Sequence, residues 1–334
     1  MSDKLATIIV GFGKVAAGYS RDEKMNQHYQ YATHAQVLRA HPAFAWDAAV
    51  DPSPEARAFA KEWGCTRIYE SVDDIPANVT FDVAVLATPS NRLGIVRKLK
   101  GIKGVILEKP MAENYEEAES LVKECEDRNI VTQVNYWRRS DRFLRELAGG
   151  RLTQLVGKPQ AVHVVYGNGL LNNGSHMIDL VRMLIGEISS FQINPGATWN
   201  QGPVAGDLNL LFSLEAGDRV PVAFHCVDFT QYRENSIEIF GTTGRLSIVN
   251  EGLINLHYST GPNRGMTGVN ELISDKPMQI ESSVGDAFYR VYSDLANAIL
   301  NGGSTASSGR SALATERVIS GIFSLYSQSK VAEA

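Results

Sequence analysis

Gly11-Phe12-Gly13-Lys14-Val15-Ala16 stands directly after the apolar run Ile8-Ile9-Val10. That order suits a strand-to-helix turn that seats a pyrophosphate. Gly11 lets the chain reverse tightly, and Gly13 removes the Cβ that would hold a phosphate off the backbone. The small Ala16 lets the following helix lie close on the strand, so that its free N–H groups face the anion. A second stretch, Phe44 to Val50, ends at Asp51. A carboxylate there can accept from both ribose hydroxyls of an adenosine and repels a 2′-phosphate, which favours NAD over NADP. The other reading of Asp51 is a turn or helix-capping acid before Pro52. Asp51 lies forty positions past Gly11 (51 − 11), where roughly twenty to thirty is usual. The surplus is the polar stretch Tyr19 to Thr33, read here as an inserted loop over the cofactor cleft.

Two further positions carry groups able to move a proton. Lys109 follows the apolar run Gly104 to Leu107 in Glu108-Lys109-Pro110. A lysine at the carboxyl edge of a buried strand sits where open α/β sheets place ligands, and it can polarise a carbonyl oxygen or take a hydroxyl proton. Glu108 is expected to orient that lysine or its loop. His176, in Asn172-Asn-Gly-Ser-His-Met-Ile-Asp179, has the side chain best suited to proton transfer near neutral pH, and Asp179 shares its helical face. A lone core histidine and a lone surface lysine are the unremarkable readings. Thr88, Pro89 and Asn91 close another buried run and are suited to line the cofactor cleft.

The elements that must position these groups follow from pattern. Strand and helix alternate from residue 5 to 134, including 54–63, 81–87, 92–100, 104–107, 113–128 and 130–134, which implies right-handed crossovers and a parallel sheet. Past Asn135 the rhythm changes. Helices at 140–147 and 175–184, a strand at 161–166 and consecutive strands at 207–214, 220–229, 235–240 and 245–249 indicate an α+β domain with a mostly antiparallel sheet. A helical region over 284–330 closes the chain. The expected division is therefore residues 1–134 for a nucleotide-binding domain and 135–334 for a substrate and oligomerisation domain.

Composition bounds the function. The 334 residues suffice for two cored domains, and 44% apolar with 21% charged residues is ordinary for a globular protein. A net charge of −5 without a basic stripe argues against nucleic acid. Three scattered cysteines offer neither a disulfide framework nor metal-ligand spacing. No apolar window approaches a membrane span and no signal peptide is evident, so a cytoplasmic location is expected.

Taken together, Gly11-x-Gly13-x-x-Ala16, His41-Pro42-x-Phe44, Val50-Asp51-Pro52, Ala87-Thr88-Pro89, Glu108-Lys109-Pro110, Gly174-Ser175-His176-x-x-Asp179-Leu180, Phe240-Gly241-x-x-Gly244 and Ser308-Gly309 resemble the glucose–fructose oxidoreductase / inositol dehydrogenase / MocA family. The resemblance runs nearly end to end. It implies a Rossmann domain plus a domain whose large open sheet makes homodimer or homotetramer contacts. It also implies a nicotinamide cofactor and a secondary alcohol of a sugar, cyclitol or sugar-nucleotide as substrate. The alternatives are a non-catalytic NAD-binding regulator of the same fold, and an enzyme that uses tightly bound NAD transiently, as glycosidases or epimerases of this cleft type do. Lys109 and His176 then form the proton path. Asn172 stands where inositol-dehydrogenase-like members carry an aspartate; it can hydrogen-bond a substrate hydroxyl but cannot hold a proton. Leu93 replaces a histidine common after Thr-Pro. For the substrate, Tyr136, Arg138, Arg139, Tyr166 and Asp179 are the candidates, with Asn168 and Trp199 beside them. The arginines can grip a carboxylate or phosphate, or else pair with Asp141 or Glu146.

Overall fold

The computed structural model describes residues 4–89, 91–200 and 206–333; of residues 195–200 and 331–333 it describes the backbone alone. The chain divides into two compact units, Met1–Asp141 with Gly285–Ala314, and Arg142–Val284 with Thr315–Ala334.

The first unit holds six strands: β1 Leu5–Val10, β2 Phe44–Val50, β3 Arg67–Tyr69, β4 Val83–Leu86, β5 Gly104–Leu107 and β6 Val131–Val134. They pair in the order β3-β2-β1-β4-β5-β6, all parallel. Every residue of β4 and β5 is buried, as both faces of a helix-covered parallel sheet require. The crossover helices are α1 Glu23–His28, α2 His34–Ala40, α3 Pro54–Glu62, α4 Arg92–Lys98 and α5 Tyr115–Asp127. Side-chain caps set several of their starts: Thr33 accepts from the Gln36 amide, Ser53 from Ala56 and Asn114 from Glu117.

Two features of this unit differ from expectation. No helix starts at Ala16. The chain makes a turn and a 3₁₀ stretch at Gly18–Arg21, and the surplus segment contains α1 rather than loop alone. That segment is tied down, with the Gln30 amide donating to Gly285 and Tyr29 set edge-on to Trp137 at 6.5 Å. The second difference is the helix Ala287–Asn301, expected with the later domain. Its Val291, Tyr292 and Leu295 are buried in one cluster with Ile9, Val85 and Ile106 of the parallel sheet.

The second unit carries α6 Arg142–Glu146, α7 Leu152–Val156 and α8 Ser175–Leu184 against a nine-stranded sheet. Its strands are β7 Pro159–Tyr166, β8 Ile188–Asn200, β9 Leu208–Ala216, β10 Val220–Cys226, β11 Ser236–Gly241, β12 Gly244–Val249, β13 Ile254–Pro262, β14 Asn270–Leu272 and β15 Met278–Ile280. Only β7 and β10 pair in parallel; the other pairings are antiparallel. Strands β8 and β13 to β15 escaped the sequence pattern. Along β7 the residues alternate, with Val162, Val164 and Tyr166 buried and His163 exposed. The remaining helices are α9 Ala287–Asn301 and α10 Gly309–Glu333. Among the described residues, no helix is long and apolar enough to cross a membrane.

Candidate active site and cofactor cradle

The register of the parallel sheet builds the site. Val10 is level with Val50 on one side and Leu86 on the other; Leu86 is level with Leu107, and Leu107 with Val134. Five strands therefore end in one row. The residues after them, Gly11, Asp51, Ala87-Thr88, Glu108-Lys109 and Asn135, emerge along a single carboxyl edge, where sheets of this kind bind ligands.

At Gly11 the chain takes φ +88°, and a Cβ there would stand 2.7 Å from the Thr88 amide nitrogen. At Gly13 nothing lies within 4 Å of an added Cβ. Among the described residues, the amides of Gly13, Lys14, Val15 and Ala16 have no hydrogen-bond acceptor, while the Gly13 carbonyl takes the amides of Ala17 and Gly18. Four consecutive open amides, with open space at Gly13, are donors suited to a diphosphate. Phe12 plays a different part from its neighbours. Its ring is buried against Trp46 and Phe59, and its amide donates to Asp51 Oδ2 at 2.6 Å. Asp51 also accepts from Ser53 N at 2.8 Å through Oδ1. The acid thus braces the glycine turn, and both carboxylate oxygens keep lone pairs for further donors.

Arg92 joins the next two loops, and the sequence pattern missed it. It is 4% exposed, donating from Nε to the Thr88 carbonyl at 2.9 Å and from Nη1 to the carbonyls of Glu108 (2.6 Å) and Pro110. Asn91 stands at the N-cap position of α4 in a left-handed conformation, without a side-chain capping bond, and is exposed, as is Pro89; Thr88 is half-buried. The Glu108 side chain is buried; its Oε1 accepts from Asn135 Nδ2 at 2.6 Å and lies 2.9 Å from His34 Nε2. Burial pushes the Glu108 pKa up, but the hydrogen bond and charge interaction with His34, the hydrogen bond from Asn135 and the nearby positive charge of Lys109 outweigh it and hold the carboxyl below its usual range. Lys109 is half-buried, and Asn135 Oδ1 is buried with no donor among the described residues.

The expected substrate groups fare differently. Tyr136 is buried in the core of the first unit, and Arg138 is 4% exposed with its guanidinium 4.4 Å from the centre of the Trp137 ring. Arg139 is half-buried. Glu146, one suggested partner for the arginines, pairs with Arg151 instead.

In the second unit His176 is half-buried at the second position of α8, just past a wide turn, Leu170–Gly174, that contains Asn172. Asp207, another group missed in the sequence, braces this turn by accepting from the amides of Leu171 at 2.9 Å and Asn172 at 3.0 Å. Burial raises the Asp207 pKa against the lowering effect of those amides. Two substrate candidates here are corrected. Tyr166 is fully buried, and its hydroxyl is within hydrogen-bond distance of both the carbonyl (2.7 Å) and the amide (2.9 Å) of Leu210, so it belongs to the core. Asp179 is 1% exposed and bonded to Arg182 and Thr315, which ties it into α8 and α10 rather than leaving it open to solvent. The side chain of Trp199 falls outside the described residues. No group of metal-ligating side chains occurs among the described residues.

Comparison with known proteins accords with this geometry. Residues 6–136 match the model of the GFO/IDH/MocA "oxidoreductase family, NAD-binding Rossmann fold", and residues 138–247 match the "GFO/IDH/MocA C-terminal domain". The chain belongs to the GFO/IDH/MocA oxidoreductase family. Its first unit is thus an NAD-binding Rossmann domain, and the open amides, the clear space at Gly13 and the Asp51 carboxylate fit that cofactor. The chain is 23% identical over 211 residues to a 1,5-anhydro-D-fructose reductase of Ensifer adhaerens, covering 57% of this chain and 63% of that one. It is 29% identical over 195 residues to a levoglucosan dehydrogenase of Pseudarthrobacter phenanthrenivorans, covering 47% and 49%. The chain thus spans less than two thirds of either curated relative. A solved levoglucosan dehydrogenase in complex with NADH and levoglucosan superposes with a TM-score of 0.74 at 18% identity, covering 98% of both chains.

Proposed function

We propose that this protein is an NAD-dependent oxidoreductase that interconverts a secondary alcohol and a ketone on a sugar, cyclitol or sugar-nucleotide. The observation that carries the reading is the row of strand ends, which sets Lys109 on the same sheet edge as the open amides of Gly13–Ala16. Bound NAD supplies the hydride acceptor. Lys109 donates a hydrogen bond to the substrate oxygen, and His176 takes or returns the hydroxyl proton. Asn172 holds a neighbouring hydroxyl without storing a proton. Thr88, Pro89 and Asn91 line the cofactor side, and Arg138 and Arg139 contribute on the substrate side. Asp51 favours NAD over NADP.

The test is incubation of the pure protein with NAD⁺ and a panel of polyols, sugar acids and levoglucosan, and with NADH and 1,5-anhydro-D-fructose, while reduced nicotinamide is followed by absorbance. Turnover supports the reading. Cofactor binding without turnover, a result that the asparagine at position 172 makes worth seeking, supports a regulator. Substrate conversion without net cofactor change supports transient use. We further propose a homodimer or homotetramer joined through the open face of the nine-stranded sheet; light scattering that finds a monomer at micromolar concentration would overturn this.

A further inference from the structure

Phe12 fastens the glycine turn to the end of β2 and the start of α3, and it is held at two points. Its ring, 2% exposed, stacks on Trp46 at 6.0 Å and meets Phe59 edge-on at 5.8 Å. Trp46 belongs to β2, the strand that ends just before Asp51, and Phe59 to α3, the helix that begins just after it. The second hold is on the main chain, where the Phe12 amide donates to Asp51 Oδ2 at 2.6 Å. One residue earlier, the Gly11 amide donates to the Val50 carbonyl at 2.8 Å. The first two amides of the turn are therefore bonded to two successive residues at the end of β2, and the next four are open.

The direction of the open amides depends on what holds the turn on either side of them. Gly13 has the freest backbone of any residue, and nothing lies within 4 Å of an added Cβ there, so Gly13 itself fixes little. On the far side its carbonyl takes the amides of Ala17 and Gly18 at 3.1 and 3.2 Å. On the near side the hold is the Phe12 peptide, a rigid plane whose N–H is aimed at Asp51. The acid is itself fixed, since the Ser53 amide donates to Oδ1 at 2.8 Å and the Asp51 amide donates to the Tyr69 carbonyl at 3.1 Å. Among the described residues the Asp51 carboxylate bonds to these two amides and to no side chain; the nearby Arg57 bonds instead to the carbonyls of Asp51 and Pro52 and pairs with Glu70. With one amide on each oxygen, both oxygens keep lone pairs for hydroxyl donors.

We propose that Asp51 is a positioning residue for the diphosphate as well as the acceptor of the ribose hydroxyls: by holding the Phe12 amide it sets the direction of the amides of Gly13–Ala16. This rests on the reading of Asp51 as the ribose acceptor of NAD. Sugar recognition and diphosphate recognition then form one mechanical piece. The consequence for specificity is direct. Exchanging Asp51 for a small residue, the obvious way to admit a 2′-phosphate, loosens the diphosphate seat that both dinucleotides share. A preference for NADP would need a replacement that still holds the Phe12 amide.

The test measures nucleotide affinity by calorimetry on the full-length protein, well below its melting temperature, and needs neither substrate nor turnover. ADP and 2′,3′-dideoxy-ADP share the adenine and the diphosphate and differ only in the two hydroxyls. The unmodified protein should bind ADP more tightly. Asp51→Ala should weaken both ligands, the dideoxy nucleotide by about tenfold or more, the scale of one lost hydrogen bond to a charged acceptor. Asp51→Ser, whose hydroxyl is too short to make both amide bonds, should do the same and stands in if the alanine variant does not fold. NADP⁺ should bind neither variant more tightly than the unmodified protein. Dideoxy-ADP bound equally by the unmodified protein and the folded variants would overturn the proposal, and tenfold tighter NADP⁺ binding beside it would return Asp51 to a ribose acceptor alone. The ribose reading fails separately, through equal affinity of the unmodified protein for ADP and dideoxy-ADP; the dideoxy nucleotide compared across the variants still decides the brace.

Discussion

Lys109 and His176 offer the sharpest test at the level of single residues. Lys109→Ala and His176→Ala are each expected to lower turnover at least about 100-fold, the low end for loss of a positioned acid or base. NAD⁺ affinity, measured by fluorescence titration, should hardly change, because the amides of Gly13–Ala16 are untouched. Wild-type rates in both variants would overturn the assignment. Glu108 carries a pH prediction. Its folded pKa is depressed, so its contribution to stability is full above the ordinary glutamate value and is lost as pH falls through the depressed one. Denaturant titrations should therefore show the stability gap between wild type and Glu108→Gln shrinking below about pH 4; a gap constant with pH would contradict the ionised, clamped carboxylate. Legibility at this scale follows from chain locality. Lys109 could be read because it ends a buried run. Arg92 and His34 could not, since their partners are the Glu108 loop and Tyr292, and nothing local marks an arginine or histidine on a short helix as buried. Tyr166 was misread for a related reason: strand alternation tells which residues share a face, but not that the Leu210 backbone waits on it.

Among the elements, the glycine turn makes a contrast available within three residues. Gly11→Ala puts a side chain at φ +88° and a Cβ 2.7 Å from the Thr88 amide, so it should cost about 2 kcal/mol or more in unfolding free energy without any ligand. Gly13→Ala meets nothing within 4 Å. It should leave the melting temperature of the free protein nearly unchanged and weaken NAD⁺ binding severely, because its methyl enters the space in front of the open amides. Calorimetry on the free proteins and titration with NAD⁺ separate the two. Equal cofactor affinity in Gly13→Ala and wild type would place the diphosphate elsewhere. The parallel strands and most crossover helices of this unit were legible, since continuous apolar runs bounded by turns leave little choice. The missing helix after Ala16 was not. The stretch 17–33 lacks a helical apolar period, and what fixes it is remote: Gly285 takes the Gln30 amide and Trp137 meets Tyr29.

For the molecule as a whole, the first unit is discontinuous in sequence, and that has a measurable consequence. A helical pattern at 287–301 announces an apolar face but not the sheet it covers. The structure assigns Val291, Tyr292, Leu295 and Phe288 to one buried cluster with Ile9, Val85 and Ile106. Burying each such side chain is worth about 1.5–3 kcal/mol, so four of them rival the whole of a domain's typical stability, roughly 5–15 kcal/mol. The chain's exit and return also lie together within each unit: Ser140 Oγ donates to Asp294 at 2.7 Å, and the Phe143 amide donates to Ser283 at 2.9 Å. A polypeptide of residues 1–134, the division that the sequence pattern suggests, should therefore fail to unfold cooperatively and gain no thermal stability from NAD⁺. Residues 1–141 joined by a short Gly/Ser linker to 285–314 should do both, because the junction spans neighbouring points and the linker closes a short loop at small entropic cost. A cooperative melt of the 1–134 fragment, raised by NAD⁺, would show that the returning helix is dispensable.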